Sequence, residues 1–354
     1  MKILQAGNAN FGYVLAKELR KRGIESDLLI SQEIISGVDA SINDPLSHDR
    51  NIDSYPDWVH FGPINSRMKI FEITKIMKKY DLIHAYNAVP IHAMFSGKPY
   101  LAQSGGDDLR KKAFEKSLTG YLLRRSYKKA DQFVYVWPIH KLYAEKLGIP
   151  NPIYLPRIWN TQFFVKKNKN AERKGFAIFF PTIENWETKG NDKFLRAFVR
   201  LCKEKLDVFL YYVDWGKDSA KAKKILLQKA QNVEIIPGPI SREKMSEYME
   251  KSDIVADQFN SGSFTRLGIE AFAFGIPLLI NLDEKLHETL HGDAPPVING
   301  KSEEEIFTKL KLLTQSKSTL LEMGRNAQQW TTKHFDLEKN VKRYIEIYEN
   351  ILKK

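Results

Sequence analysis

One pattern recurs along both halves of this sequence and limits the fold more than any other feature. It consists of a short apolar segment, a polar or glycine-rich turn, and then a stretch with helical periodicity. In the first half, the apolar segments of this pattern are Lys2–Ala6, Asp81–Ala85, Lys98–Ala102 and Gln132–Val136. Short strands that alternate with amphipathic helices are typical of parallel sheets with helices on both faces. The first half is therefore predicted to be a doubly wound α/β domain, with its first helix from about Tyr13 to Arg22.

The second half repeats the pattern after a polar break. Residues 165–174 (VKKNKNAERK) are almost wholly polar and charged, which predicts a linker between domains. The apolar segments that follow are Phe176–Phe180, Val208–Val213, Val233–Ile236, Ile254–Ala256 and Pro277–Asn281. We therefore predict two Rossmann-like domains, 1–165 and 175–330, that face each other across a cleft at the carboxyl ends of their strands. An amphipathic helix over 335–354 should close the chain.

Length and composition narrow the class of protein. The chain has 354 residues, of which 43% are hydrophobic and 28% charged, as in folded globular proteins. It contains no run of about 18 apolar residues, the length that a membrane-spanning helix needs. Its first residues turn basic before an apolar stretch of secretory length has formed, and its single cysteine, Cys202, has no partner for an intrachain disulfide. We therefore expect a cytoplasmic chain without a signal peptide.

A basic excess indicates the class of partner. Lys and Arg number 55 against 43 Asp and Glu, a net charge of +12, which favours contact with nucleic acid, acidic lipid or phosphorylated small molecules. The densest cluster is 109–130, where eight basic residues accompany one acid, Glu115. Phe114, Leu118 and Leu122 recur there at four-residue spacing, which predicts an amphipathic helix. The helix would pack on the core with a solvated face, attach to an anionic membrane or, the least favoured alternative, contact RNA.

The segment 252–281 is the strongest candidate for a ligand site. A short apolar segment, Ile254–Ala256, leads into the small-residue turn Asn260–Ser263 and then into a predicted helix that Gly275 and Pro277 end. Free amides at the start of such a helix favour an anion, and a diphosphate is the expected occupant.

A carboxylate lies within the same predicted helix. Glu270 follows Arg266 by four residues and could accept hydrogen bonds from the diol of a sugar or a ribose. The alternative is that Glu270 serves only a surface salt bridge.

The order of residues in this segment resembles the signature of the retaining glycosyltransferases of family four, which have the two-domain GT-B fold. The residues that carry the resemblance are Asp257, Gln258, Gly262, Glu270, Ala271, Gly275 and Pro277. The resemblance implies that Glu270 binds the ribose hydroxyls of a nucleotide sugar. It also implies that Gly262 stands where the commoner pattern has the first of two glutamates.

A second segment, 179–198, resembles the family at a Lys-Gly pair. Lys189 and Gly190 precede a predicted helix. A fixed ammonium can neutralise the charge that grows on a diphosphate leaving group as the bond to the sugar breaks. Relatives usually carry an arginine a few residues before the lysine, where this chain has Glu184, and Arg266 is our candidate to supply that cation.

The first half contributes two weaker matches. Its glycine-rich first turn resembles the family's first loop, which implies that Gly12 contacts the donor. Residues 103–110 (QSGGDDLR) resemble a His-Gly-Ser-Asp stretch of relatives, with Asp107 at the acidic position and Ser104 at that of the histidine. His84 is the nearest replacement by sequence, although a lone histidine at a strand end more often has a structural role.

The resemblance thus implies a set of site residues. The candidates for catalysis are Lys189, Glu270 and Arg266, and those for donor binding are Gly12, Asp107, Pro237, Gly238, Gly262, Ser263, Phe264, Thr265 and Glu270. The nucleotide base is expected near Pro237 and Gly238. The closing helix, 335–354, resembles the one that crosses back to the first domain in this fold.

A zinc-protease pattern competes with this interpretation. His287, Glu288 and His291 (HETLH) match it, but a chance match is expected at about 0.02 per chain and Gly292 ends the predicted helix at once. No Asp-x-Asp triplet occurs, which argues against a metal-bridged diphosphate. We therefore expect catalysis without a metal and no cofactor besides the donor, with Lys189 and helix amides in place of the cation.

The residues and the resemblance together predict a retaining hexosyltransferase that uses a nucleotide diphosphate sugar and an unknown glycan or lipid-linked acceptor. It would act in the cytoplasm, or peripherally at the inner face of the membrane through 109–130. Two alternatives stay open. Because Gly262, Glu184 and Ser104 depart from the family pattern, the chain could bind nucleotide sugars without transferring them, or it could be a sugar-nucleotide epimerase of the same fold.

Overall fold

The computed structural model describes residues 1–31, 33, 54–158, 175–229 and 232–354. The chain divides into two compact units. Unit 1 comprises Met1–Asn160 and Phe335–Lys354, and unit 2 comprises Thr161–His334. The predicted linker, 165–174, lies outside the described residues.

Unit 1 is built on a seven-stranded parallel sheet. Its strands are β1 (Lys2–Ala6), β2 (Glu25–Ile30), β3 (Val59–Phe61), β4 (Leu82–Tyr86), β5 (Tyr100–Ser104), β6 (Gln132–Tyr135) and β7 (Ile153–Tyr154). They lie in the order β3-β2-β1-β4-β5-β6-β7. Leu4 of β1 is opposite Asp27 on one side and Ile83 on the other. Because the chain order reverses between β1 and β4, the carboxyl ends of these strands form the switch point of the sheet.

The helices of unit 1 follow from the amphipathic stretches between the strands. They are α1 (Ala9–Lys21), α2 (Ile70–Met77), α3 (Pro90–Ser96), α4 (Asp107–Arg110), α5 (Leu118–Lys129) and α6 (His140–Lys146). The predicted start of the first helix, at Tyr13, was wrong. Helix α1 begins at Ala9 because the side chain of Asn8 accepts a hydrogen bond from the Phe11 amide and caps it.

The basic segment 109–130 differs from its prediction. It contains the end of α4, a 3-10 turn at Lys112–Phe114 and α5, and not one continuous helix. The predicted apolar face is also wrong, since Leu118 is 66% exposed. Helix α5 instead turns Gly120, Leu123 and Tyr127 inward, and a Cβ at Gly120 would lie 2.4 Å from the Glu115 carbonyl oxygen. This close approach sets the rotation of the helix and leaves Leu118 outside.

Unit 2 contains a six-stranded parallel sheet. Its strands are β8 (Phe176–Phe180), β9 (Val208–Asp214), β10 (Val233–Pro237), β11 (Ile254–Ala256), β12 (Leu278–Ile280) and β13 (Ile298–Asn299). Their order is β10-β9-β8-β11-β12-β13, so β8 and β11 are neighbours at the switch point. The central strands are buried on both faces, which explains why they read as continuous apolar runs.

The helices of unit 2 cover both faces of this sheet. They are α7 (Trp186–Lys189), α8 (Asn191–Lys203), α9 (Ser219–Lys229), α10 (Arg242–Glu250), α11 (Arg266–Phe274), α12 (Glu284–His291), α13 (Glu303–Leu313) and α14 (Lys317–His334). The core on one face joins Ile178, Phe194, Leu210 and Leu310, all fully buried.

The last helix, α15 (Leu337–Leu352), belongs to unit 1. Its buried face includes Tyr344, Tyr348 and Ile351, which pack against Phe11 of α1 and the strands below. The Tyr344 hydroxyl donates to Gln103 Oε1 at 3.0 Å. Among the helices of the described residues, none is long and apolar enough to span a membrane.

Candidate functional site

The two segments singled out in the second half of the sequence leave neighbouring strands of unit 2. The loop with Lys189 follows β8, and the loop with Asp257–Thr265 follows β11. Because β8 and β11 pair in parallel, with Ile178 opposite Ile254, their carboxyl ends lie side by side. In open α/β sheets, ligands bind outside the carboxyl ends of the strands at such a switch point. The topology therefore brings both segments to one site.

Lys189 is held by a residue of the other loop. Its ammonium Nζ donates to Gln258 Oε1 at 2.8 Å, and its carbonyl oxygen accepts from the Phe259 amide at 2.6 Å. Lys189 ends the short helix α7, which Asn185 caps by accepting from the Thr188 amide. The lysine is only partly exposed, so its charge has a defined position and is not that of a mobile surface chain.

The Lys-Gly pair has a steric basis. Gly190 has a φ of +67°, and a Cβ there would lie 2.5 Å from Asn260 Oδ1. The Asn260 amide nitrogen donates to the carbonyl oxygens of Trp186 and Glu187. A glycine at this position lets the loop after β11 approach the end of α7 closely enough for these bonds.

A buried aspartate, Asp257, connects the loop after β8 with the start of α11. Asp257 is 2% exposed, and its Oδ1 accepts from the Thr182 hydroxyl at 2.8 Å. Its Oδ2 accepts from the hydroxyl of Thr265, the residue that caps α11. Gln258 also donates to the Ser263 carbonyl oxygen at 3.0 Å. Asp257 and Gln258 therefore fix the positions of Lys189 and of the start of α11.

The start of α11 is only partly available to an anion. The Ser263 amide donates to Ser261 Oγ at 3.3 Å, and the Phe264 amide donates to His287 Nε2 at 3.2 Å. The free amides expected at the start of this helix are therefore not found at Ser263 and Phe264. Gly262 precedes them with a φ of +64°, a conformation that favours glycine over the glutamate of the commoner family pattern.

Glu270 and Arg266 lie one turn apart on α11. Arg266 Nε is 3.6 Å from Glu270 Oε1, and the glutamate side chain is 1% exposed while the arginine is about one-third exposed. The pair is not the surface salt bridge of the alternative interpretation, because the carboxylate is buried. Arg266 is already paired with this carboxylate, so a diphosphate would have to share the guanidinium with Glu270.

Glu184, at the family's arginine position, is fully buried. Burial raises the pKa of this carboxyl to about 8; the hydrogen bond from Trp186 Nε1, at 2.9 Å, opposes the rise, and Asp218 adds to it. The neutral form is therefore favoured near pH 7. Glu184 supports the loop before α7 and does not provide a cation.

Pro237 and Gly238 are at the end of β10, the edge strand, two strands from β8. A Cβ at Gly238 would lie 2.5 Å from Val213 Cγ1, so glycine is needed for β10 and β9 to pack at this end. The structure places these two residues on the same edge of the sheet as the Lys189 loop, because all strands of the sheet are parallel.

The candidates in the first half lie in unit 1, and the structure changes their interpretation. Gly12 is inside α1, where a Cβ would lie 2.8 Å from Leu28 Cδ1, so it serves helix packing and is not part of the turn. Asp107 is exposed and pairs with Arg110 at 2.6 Å. Its neighbour Asp108 is the buried acid, with Oδ1 accepting from the amides of Gly105 and Gly106.

His84 cannot replace the missing histidine at Ser104. It is completely buried, and burial lowers its pKa to about 3. Its Nε2 donates to Gln103 Oε1 at 3.0 Å, so Nδ1 accepts from the Tyr348 hydroxyl at 2.7 Å. The structural alternative therefore holds for His84, which binds the last helix to the sheet.

The HETLH segment, which matches the zinc-protease pattern, has a different role. His287 accepts from the Phe264 amide at Nε2, and its Nδ1 donates to the Asp283 carbonyl oxygen at 2.8 Å. Both ring nitrogens are thus used by the backbone, which leaves none for a metal. In the part of the chain that the structure describes, no group of three His, Cys, Asp or Glu side chains could hold a metal ion. His287 instead supports the loop before α11.

Sequence reasoning gave no role to several residues that shape the site. Asp257 and Gln258 were noticed only as part of the signature, Asn260 only as the start of the small-residue turn, and Thr182 and His287 were not connected with the site. Their partners lie between 5 and 75 residues away along the chain. A small polar residue directly after a buried strand is the one local signal that could have found Thr182 and Asp257.

Part of the sequence matches a known protein family. Residues 160–330 match the family model described as "Glycosyl transferases group 1". An uncharacterized glycosyltransferase of Methanocaldococcus jannaschii is 24% identical over 170 residues, which are 47% of this chain and 43% of that protein. The chain therefore covers less than half of that relative's length.

Solved structures share the fold over nearly the whole chain. HepE of Anabaena, in complex with UDP and glucose, is 13% identical with a TM-score of 0.75, covering 99% of this chain and 100% of HepE. A sucrose-phosphate synthase from Thermosynechococcus elongatus is 14% identical with a TM-score of 0.68, covering 99% of each chain. The predicted class of two parallel-sheet α/β domains of GT-B type is thereby confirmed. Residues 160–330, slightly less than half of the chain, are thus similar to glycosyl transferases of group 1.

Proposed function

We propose that this protein transfers a sugar from a nucleotide diphosphate sugar, and that unit 2 binds the donor at the switch point of its sheet. The glycosyl transferases group 1 match over 160–330 supports the reaction class. HepE, which has the same fold, is described in complex with UDP and with UDP-glucose, and this supports a nucleotide-sugar donor. A uridine nucleotide is therefore the first donor to test.

The observation that carries the proposal is the bond between Lys189 and Gln258. It joins two motifs that are 69 residues apart in the chain, and it places one ammonium beside the loop that leads into α11. A positioned ammonium stabilises the charge that develops on a leaving diphosphate, and in a site from which water is excluded the effect is large. In this proposal Lys189 stabilises the leaving group and Gln258 positions Lys189.

The rest of the donor follows from the chemistry of the neighbouring groups. We assign the diphosphate to the capped start of α11 near Thr265, with Arg266 at its side, and the ribose hydroxyls to Glu270. The base would lie towards Pro237 and Gly238 on the same edge of the sheet. Retention of configuration, a hexose as the transferred sugar and independence from a divalent ion also belong to this proposal.

Unit 1 would bind the acceptor, a glycan or a lipid-linked sugar, in the cytoplasm or at the inner face of the membrane. Nothing in the donor assignment depends on which of these acceptors is used. An acceptor can therefore be sought after the donor has been identified.

The first experiment identifies the donor and tests Lys189. The full chain is screened with UDP-, GDP- and TDP-sugars by thermal shift, and nucleotide release is then measured with the best ligand. Lys189→Ala should lower turnover by about 100-fold. Lys217→Ala is the matched control, because Lys217 is an exposed lysine of a neighbouring loop that pairs with Glu187. Equal turnover in the two variants would contradict the proposed site, and loss of activity with EDTA would contradict metal independence.

One observation favours a second candidate, a nucleotide-sugar-binding protein without transfer activity. The position of the family's first glutamate is Gly262, and the position of its arginine is the buried Glu184. This candidate predicts a thermal shift with a nucleotide sugar but no nucleotide release with any acceptor tested. A sugar-nucleotide epimerase would instead return a donor with an altered sugar, which chromatography of the reaction mixture detects.

A further inference from the structure

Exposed apolar side chains are concentrated on one helical layer of unit 1. Helices α2, α3 and α5 connect strands that progress in the same direction across the sheet, so right-handed crossovers place all three on one face. Helix α3 packs against α2 on one side and α5 on the other. The outer surface of this layer carries Met68, Phe71, Phe95, Leu118 and Tyr121, which are between 50% and 93% exposed.

The flanking helices repeat one arrangement of side chains. In α2 and the residues directly before and after it, the exposed residues Met68, Phe71, Lys75 and Lys78 are spaced by three, four and three positions. In α5 the same spacing connects Leu118, Tyr121, Arg125 and Lys128. Positions spaced in this way share one face of a helix. Each helix therefore presents two apolar side chains first and two basic side chains after them.

These apolar side chains do not face the protein core, because other residues of the same helices do. Helix α2 turns Ile73, Thr74 and Met77 inward, and α5 turns Gly120, Leu123 and Tyr127 inward. Met68 and Phe71 are 93% and 86% exposed, values at which large apolar side chains are costly unless another surface covers them.

The charge around this surface identifies what covers it. Residues 67–79 contain five basic side chains and one acid, and residues 111–129 contain seven and one. Within the described parts of the chain, no acidic side chain forms an ion pair with Lys75, Lys78, Arg125 or Lys128. Anions from outside the protein would therefore pair with these four groups.

We propose that this surface, the α2–α5 patch, binds an anionic lipid bilayer. We define the patch by its apolar residues Met68, Phe71, Phe95, Leu118 and Tyr121 and its basic residues Lys75, Lys78, Arg125 and Lys128. The apolar side chains enter the boundary between headgroups and acyl chains, and the basic side chains remain with the lipid phosphates. An RNA would use the basic groups but leave Met68 and Leu118 uncovered.

This inference extends the sequence-based prediction for 109–130 and changes its basis. The apolar residues of α5 that contact lipid are Leu118 and Tyr121, and not the face of Phe114, Leu118 and Leu122. The inference also adds α2 and α3, whose residues lie outside that cluster. It does not use the donor site, so donor binding and membrane binding can fail independently.

The test is sedimentation of the full chain with vesicles of phosphatidylcholine alone and of phosphatidylcholine with about 30% phosphatidylglycerol, at low and high NaCl. We expect binding to the anionic vesicles only, and weaker binding at high salt. The charge variant Lys75→Gln, Lys78→Gln, Arg125→Gln, Lys128→Gln should lose about fivefold in partition for each charge removed. The apolar variant Met68→Ser, Phe71→Ser, Leu118→Ser should lose about tenfold or more.

Matched controls carry the same changes on exposed positions of unit 2. They are Lys203→Gln, Lys224→Gln, Lys251→Gln, Lys285→Gln for charge and Leu227→Ser, Leu312→Ser, Leu321→Ser for apolar area. Circular dichroism and thermal unfolding without ligand verify that each variant folds. The charge variant keeps the test decisive if the apolar variant does not fold.

Four results would overturn the proposal. Pelleting with both kinds of vesicle at all salt concentrations would show that charge does not drive binding. Equal partition of the patch and control variants would show that the patch is not the binding surface. Sedimentation equilibrium without lipid completes the test, because a dimer that the apolar variant dissociates, together with no vesicle binding, would assign the patch to a second copy of the chain. Binding of a single-stranded RNA in place of vesicles would likewise reject the lipid assignment.

Discussion

The two units share one topology but place their polar side chains differently. In unit 1, polar residues stand inside the sheet: Gln5 of β1, His84 of β4 and Gln103 of β5 are all buried and are bonded to tyrosines. In unit 2, the central strands β8 and β11 are entirely apolar, and the polar groups begin where those strands end. Unit 1 therefore uses buried polar side chains to attach α15, whereas the polar side chains around β8 and β11 of unit 2 lie at the switch point.

The largest effect on stability should come from the unit 1 network. His84→Leu removes the acceptor of the Tyr348 hydroxyl and one of the two donors to Gln103 Oε1, which should lower the free energy of unfolding by about 2–3 kcal/mol. His84→Gln retains hydrogen-bonding groups and should lose less. Urea unfolding followed by circular dichroism measures both variants. Equal losses would show that packing, and not hydrogen bonding, holds α15.

The same histidine gives unit 1 a response to acid. Because burial lowers the pKa of His84 to about 3, the unfolded chain binds a proton below pH about 6.5 that the folded state excludes. The contribution of His84 therefore falls as the pH drops from about 6.5 towards 3, by at most about 1.4 kcal/mol per pH unit. His84→Gln should flatten this part of the stability curve, and an unchanged slope would contradict the assignment.

Unit 2 should respond in the opposite direction through Glu184. Its pKa is raised to about 8 by burial, so between pH about 4.5 and 8 the folded state holds a proton that the unfolded chain releases. This group makes folding less favourable as the pH rises through that window, by at most about 1.4 kcal/mol per pH unit. Glu184→Gln should remove the dependence in urea titrations at pH 5.5 and 7.5. The control is Glu187→Gln, which removes an exposed carboxylate of α7. This control variant should keep the pH dependence.

Gln258 tests whether polarity at the switch point positions the lysine. Gln258→Leu removes the acceptor of Lys189 Nζ and should lower kcat about tenfold with a smaller effect on donor affinity. Gln258→Glu keeps an acceptor and should retain more activity. A change in KM alone would indicate that Gln258 acts in donor binding. No change in kcat or KM would contradict its role in positioning Lys189.

The smallest expected effect concerns Gly262. Its φ of +64° makes Gly262→Ala unfavourable by about 1 kcal/mol, whereas Gly262→Asn should lose less because asparagine tolerates this conformation. Gly262→Glu restores the commoner family residue but should carry the same backbone strain and gain no activity. Thermal unfolding and nucleotide release measure the two effects, and a more active Gly262→Glu would contradict this view of the loop.

The alternating pattern was sufficient for the fold class, since strands buried on both faces, such as Phe176–Phe180, read as apolar runs between helices. The resemblance to a glycosyltransferase family, and not this pattern, indicated Lys189 and the Asp257–Thr265 loop as parts of one site. It failed for Gly12, which a local pattern cannot distinguish from a turn glycine, because the reason for it is contact with Leu28 of the next strand. For His84 the structural role that the sequence favoured is confirmed, but its partners could not be predicted from a local pattern, since Tyr348 is 264 residues away.

The sequence by itself determined the alternation of the longer strands with helices and the residue types at the strand ends, because both follow from local periodicity and hydrophobicity. The short strands β3, β7 and β13 were not predicted. Only the tertiary structure decided which side chains are available to a ligand. The rotation of α5, the pairing of Arg266 with Glu270 and the use of the Phe264 amide by His287 each depend on a close approach between side chains and backbone in three dimensions. Such contacts depend on how the elements pack, and packing cannot be predicted from a local stretch of the chain.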